Sequence, residues 1–159
     1  MKKTIRTSKL FAICLSIVLL TPSTNFVAAD RGVGKWKLNL TKSKYPANKP
    51  PTVRKVKWIA IANGNGVKFS SERLGMEGSI EYTASFDGKD YPVKWAAEYE
   101  TVSLRQINAN TVESTYKRNG QVVGISKRVV STDGTELTIT STGPSAEGEV
   151  SDELLFDKE

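Results

Sequence analysis

The sequence predicts an all-β domain: an antiparallel up-and-down β-barrel of about eight to ten strands, preceded by a helical signal peptide. Three observations predict it. Apolar and polar residues alternate with period two along most of the chain, turn signals, most of them Asn-Gly or Asp-Gly, punctuate that alternation and fall 11 to 14 residues apart from Asn108 to Asp133, and no window past residue 29 sustains helical periodicity. Strands of that length joined by tight hairpins form a meander, and a meander with no helices to cover it closes on itself, because closure removes exposed edges. An open sandwich is the alternative.

Residues 1–29 are set apart from the fold. Lys2, Lys3, Arg6 and Lys9 precede an apolar run of 11 residues, Leu10 to Leu20, then Pro22 and the small-residue ending Val27-Ala28-Ala29. A positive start, a short apolar centre and small residues at the end make a secretory signal peptide, and the run is well short of the roughly 20 residues that span a membrane. Cleavage is expected before Asp30, leaving residues 30–159 as one barrel domain in the periplasm or outside the cell, with no stable membrane insertion. Cys14 lies inside the apolar run, behind Ile13 rather than a small residue, and belongs to the signal peptide.

Removing that segment changes the arithmetic. The chain carries 23 basic and 17 acidic residues, a net charge of +6, and four of the basic residues lie before Asp30. The remaining 19 basic and 17 acidic residues give a net charge of +2, too even a balance to neutralise a phosphate backbone, so no nucleic-acid partner is expected. With no histidine, His-based triads and imidazole metal sites are excluded; with no cysteine after Cys14, so is a disulfide in the domain. Charge is unevenly placed, +9 from Asp30 to Arg73 and −7 from Leu74 to Glu159. Either opposite-signed strands cancel side by side, or a basic face meets an anionic envelope surface.

Taken in order, the elements are these. Gly34-Lys35-Trp36-Lys37-Leu38 opens the domain. Thr41 to Pro51, with three prolines, is a loop. Val67-Lys68-Phe69 is a strand after the Asn63-Gly64-Asn65-Gly66 turn, and Ile80, Tyr82, Ala84 and Phe86 form one face of the next, ended by Asp87-Gly88. Val102 to Leu104, Val112 to Tyr116 and Leu137 to Ile139 alternate likewise, with turns at 108–110, Asn119-Gly120 and Asp133-Gly134. Gly143 to Ser151 is an acidic loop, and Leu154-Leu155-Phe156 belongs to a last strand that closes the barrel.

The Gly34-x-Trp36 opening resembles the start of calycins, the superfamily of lipocalins and fatty-acid-binding proteins. The stretch from Tyr116-Lys117-Arg118-Asn119-Gly120-Gln121 through Ser126-Lys127-Arg128, Asp133-Gly134 and Leu137 is similar to the last strands of a fatty-acid-binding protein. Over about 125 residues the domain resembles exported bacterial lipocalin-like domains of uncharacterised function. The resemblance implies a barrel holding an apolar or amphipathic small molecule of the lipid or isoprenoid class, with an inward arginine at Arg128. That arginine either anchors a ligand carboxylate or stacks on Trp36 to close the barrel floor with Gly34, a contact of roughly 0.5–2 kcal/mol. Three features depart from the family: Leu154 and Phe156 stand where fatty-acid-binding proteins have an Arg-x-Tyr clamp, the loop at 41–51 is too short for their two-helix lid, and the usual lipocalin disulfide has no cysteines.

Candidate binding residues are therefore Arg128, Trp58, Tyr82 and Tyr116, with Arg105 should its strand face inward; its phase, opposite Val102 and Leu104, faces solvent. Phe69 and Phe86 share the apolar phases. These aromatics either line a ligand chamber or fill the barrel themselves. No catalytic residue, metal site or cofactor is expected: Glu98, Glu100, Asp87 and Asp90 read as surface turn acids, and the serines have no base beside them. A monomer is expected, with a ligand-free envelope interaction module as the alternative function and a lipocalin-fold isomerase or hydrolase as a third.

Overall fold

The computed structural model describes residues 29–61, 64–75, 79–143 and 150–159. The signal peptide reading falls outside these residues, as do Asn63 of the first turn and positions 144–149 of the acidic loop.

Ten strands follow in chain order: β1 (Gly34–Leu38), β2 (Val53–Ala60), β3 (Gly66–Arg73), β4 (Ile80–Ser85), β5 (Tyr91–Lys94), β6 (Thr101–Asn108), β7 (Thr111–Arg118), β8 (Gln121–Val130), β9 (Glu136–Thr142) and β10 (Val150–Lys158). Each pairs antiparallel with its neighbour in sequence, and β1 pairs with both β2 and β10, closing the barrel. The closing register sets Trp36 opposite Lys158 and Leu38 opposite Phe156. The expected meander is thus observed as a closed barrel rather than a sandwich, because the sheet reaches its own first strand and leaves no edge open.

Alternation sends Trp36, Val56, Trp58, Val67, Tyr82, Val102, Leu104, Val112, Leu137 and Phe156 inward, where they form a single buried cluster. The weakest stretch of wall is β5. It has four residues, joins each neighbour through only two register pairs, and contains Pro92, which has no N–H to donate. β5 is also, with β2 and β8, a strand that the alternation did not single out. The next residue, Trp95, has φ +64° and is 69% exposed.

The two ends of the barrel differ. The loop at 41–51 folds back on β10: Lys44 and Glu153 exchange backbone hydrogen bonds of 2.8 Å, and Leu155 N donates to Ser43 Oγ at 2.9 Å. The opposite end, where β1 begins and β10 finishes, is stoppered by residues 30–33. Arg31 N donates to Ala109 O at 2.9 Å in the β6–β7 turn, and its guanidinium donates to Thr132 O at 3.0 Å in the β8–β9 turn.

Candidate functional site

The stopper is built around Asp30 and Arg128. Arg128 sits on β8 between Val112 of β7 and Ile139 of β9, on the inward phase, and is buried. A buried guanidinium needs a carboxylate. Its Nη2 donates to both oxygens of Asp30 at 2.6 Å, while Asp30 Oδ1 also accepts the backbone N–H of Gly32 at 2.9 Å. Gly32 O in turn accepts the Trp36 indole N–H at 2.9 Å. Glycine is required at 32 by space, since a Cβ there would lie 2.4 Å from the Arg128 Cζ.

One sequence expectation is corrected here. Arg128 does not stack on Trp36; its Cζ lies 4.6 Å from the ring centre of Trp58, and the cation over Trp36 is Lys158 at 5.3 Å. The β1–β10 register is the reason, because it sets Lys158 opposite Trp36. Trp36 and Gly34 do lie at the stoppered end, with Trp36 fully buried and Gly34 at φ +145°.

Above the stopper, Arg128, Trp58, Tyr82 and Tyr116 line one cavity of about 50 Å³. One wall is an aromatic ladder set by register: Trp58 faces Phe69, and Phe69 faces Tyr82. The Trp58–Phe69 rings tilt at 5.1 Å and the Phe69–Tyr82 rings stack at 4.7 Å. The other wall includes Ser114 and Ser126, both buried, with Ser126 Oγ 3.1 Å from the Tyr116 hydroxyl. The Tyr99 ring packs on Tyr116 at 4.5 Å.

Burial holds the Tyr82 phenol far above its ordinary value of 10.0, and the nearby Arg128 charge offsets only part of this. Burial raises Tyr116 too, against hydrogen bonds from Ser126 and Ser114 that lower it. Both are neutral hydroxyls at physiological pH. Four buried side-chain atoms among the described residues have no hydrogen-bond partner: Arg128 Nε and Nη1, Ser71 Oγ and Asp152 Oδ1.

Arg105 is not part of this chamber. It lies on the outer face as its phase indicated, bonded to Glu113 at 2.9 Å. The cavity itself is far smaller than the roughly 300–1,000 Å³ of ordinary ligand sites, because the aromatic ladder and Tyr116 occupy the barrel's centre. A larger hollow of about 240 Å³ lies on the outer wall among Lys35, Lys55, Lys57, Glu72 and Glu159. There Lys35 faces Lys57 and Lys37 faces Lys55, so the basic residues of the first strands adjoin one another, and Glu159 meets Lys55 at 2.8 Å.

Sequence reading missed Asp30, Asp152 and Ser71. Asp30 had one available signal: an inward Arg128 demands a carboxylate, and Asp30 is the acid that precedes the Gly34-x-Trp36 opening.

No protein-family model and no curated protein matches the sequence. Among solved structures, the chain is similar to secretory abundant heat soluble protein 4 from Ramazzottius varieornatus, with a TM-score of 0.58, 14% sequence identity, and coverage of 83% of this chain and 97% of that one. At that identity the likeness establishes the barrel architecture.

Proposed function

We propose that this protein is a calycin-like barrel that holds a small apolar or amphipathic molecule, with the apolar part of the ligand lying against Trp58, Phe69 and Tyr82. The observation that carries the reading is the interior cavity, walled by an aromatic ladder on one side and by buried hydroxyls on the other. Buried polar atoms without partners support it, since native interiors satisfy nearly all such atoms, through protein, water or ligand. The cavity volume of about 50 Å³ is room for roughly four waters, so a lipid or isoprenoid chain enters only as lining side chains move aside.

The reading also takes the protein to be a non-catalytic monomer, exported and cleaved before Asp30, with neither a nucleic-acid partner nor a cofactor. In its favour, the barrel's contacts use Asp30 itself, the first residue after the expected cleavage site. Native mass spectrometry of protein purified from its own host tests ligand binding. A co-bound mass that dissociates on activation is expected, with a rise in melting temperature on adding that compound. A clean unliganded spectrum and no thermal shift across fatty acids, alcohols and isoprenoids would overturn it.

The small cavity favours a second reading, a solid barrel acting through its surface as an envelope interaction module. It predicts that filling the cavity, for example by Ser126→Leu, leaves function in the host intact.

A further inference from the structure

The inner wall opposite the aromatic ladder carries a row of small polar side chains in register. Ser114 of β7 faces Ser126 of β8, Ser126 faces Ser141 of β9, and Ser141 faces Asp152 of β10. Ser141 shares the inward phase of Leu137 and Ile139, and Asp152 that of Leu154 and Phe156. The row runs across four adjacent strands and ends in a carboxylate whose Oδ1 is buried and unpartnered. Asp152 lies above the cavity rather than in its lining, near enough to Tyr116 to be the least of the causes that act on its phenol.

The charges inside the barrel decide what this row recognises. Arg128 is already neutralised, since its Nη2 holds both Asp30 oxygens, leaving Asp152 as the uncompensated interior charge among the described residues. Arg73, on the inward phase at the far end of β3, is partly exposed and bonds Thr52. A ligand carboxylate meeting the serine row would therefore stand beside the buried Oδ1 of Asp152, an anion with no ion pair, and like charges brought together out of water are costly. A hydroxyl can serve this row without adding charge, because it donates to Asp152 and accepts from a serine.

The geometry points to a neutral, hydroxyl-bearing ligand: an apolar alcohol whose body lies on Trp58, Phe69 and Tyr82 and whose hydroxyl meets the Ser126–Ser141–Asp152 row. This rests on the interior-binding reading above and names the head group that the site selects.

Three hexyl probes of equal length test it: hexanol, hexylamine and hexanoate, titrated at neutral pH while the Trp58 indole N–H signal is followed by NMR. Hexanol and hexylamine are expected to bind at least about tenfold tighter than hexanoate, the scale of one charge-assisted hydrogen bond gained or one repulsion avoided. Asp152→Asn should collapse the advantage of hexylamine over hexanoate, with an unchanged melting temperature as the control for folding. Should that variant fold poorly, Ser141→Ala is the second probe, expected to weaken hexanol several-fold while hexylamine still outranks hexanoate. Hexanoate binding as tightly as hexanol, hexylamine binding more than about tenfold tighter than hexanol, or a ranking untouched by Asp152→Asn, overturns the head-group assignment alone. Absence of any response to all three probes overturns interior binding itself, and the assignment with it.

Discussion

Arg128 and Asp30 form a buried ion pair 98 residues apart in the chain, with one guanidinium nitrogen 2.6 Å from both carboxylate oxygens. The pair joins the segment before β1 to the inward face of β8, and so sets the floor of the cavity. Removing one partner leaves an uncompensated buried charge, which costs about 3–5 kcal/mol, whereas replacing both by apolar groups can be near neutral.

Asp30→Ala is accordingly expected to lower unfolding stability by about 3–5 kcal/mol in urea titrations. The double variant Asp30→Ala/Arg128→Met should recover most of that loss. Additive effects of the two substitutions would show that the pair does not act as a unit.

Gly32 lies against the same guanidinium. Gly32→Ala is expected to destabilise by about 1–3 kcal/mol, because the new methyl group has to displace a group pinned by Asp30 and by the Trp58 face. In an Arg128→Ala background the obstacle is gone and the penalty should largely vanish. An equal penalty in both backgrounds would place the strain in the backbone instead.

Alkaline pH tests the phenols. Burial raises Tyr82, Tyr99 and Tyr116 above the ordinary 10.0, so above that pH the folded state keeps protons that the unfolded chain releases. Their contribution is intact below about pH 10 and is lost as pH rises beyond it, by up to about 1.4 kcal/mol per pH unit for each phenol. Urea midpoints across the alkaline range, read beside tyrosinate absorbance, should show the three phenols ionising together with unfolding.

Trp95 has a left-handed backbone conformation at φ +64° and little burial to lose. Left-handed backbone costs a side chain with a Cβ about 1–2 kcal/mol. Trp95→Gly is expected to be stabilising by about 1 kcal/mol in the same assay, and a loss of stability would mean that the indole makes a contribution its exposure hides.

Much of the barrel was legible in the residues. Ile80, Tyr82 and Ala84 read as inward from their spacing alone, and so they lie, because a strand's side chains alternate whatever its partners are. Asp87-Gly88 and Asn119-Gly120 marked hairpins for an equally local reason: their glycines take positive φ, which tight turns require. Arg105 could be placed on the outside by the same alternation. β5 escaped because four residues with a proline carry too short a pattern to read.

The site was less legible, since it depends on which strands meet. Local sequence put Trp58, Tyr82 and Tyr116 on inward phases and the family resemblance put Arg128 there, but neither could say that Arg128 lies over Trp58 rather than Trp36, or that Asp30 arrives beneath it. Register across the closed barrel decided both, and it also aligned Ser114, Ser126, Ser141 and Asp152 into one row from four separate strands. The sequence by itself determined an all-β meander with no histidine and no cysteine beyond Cys14, because composition and period-two alternation are properties of the chain alone. Only the tertiary structure decided the size of the cavity and its charge, since both depend on how side chains distant in sequence fill and neutralise the same enclosed space.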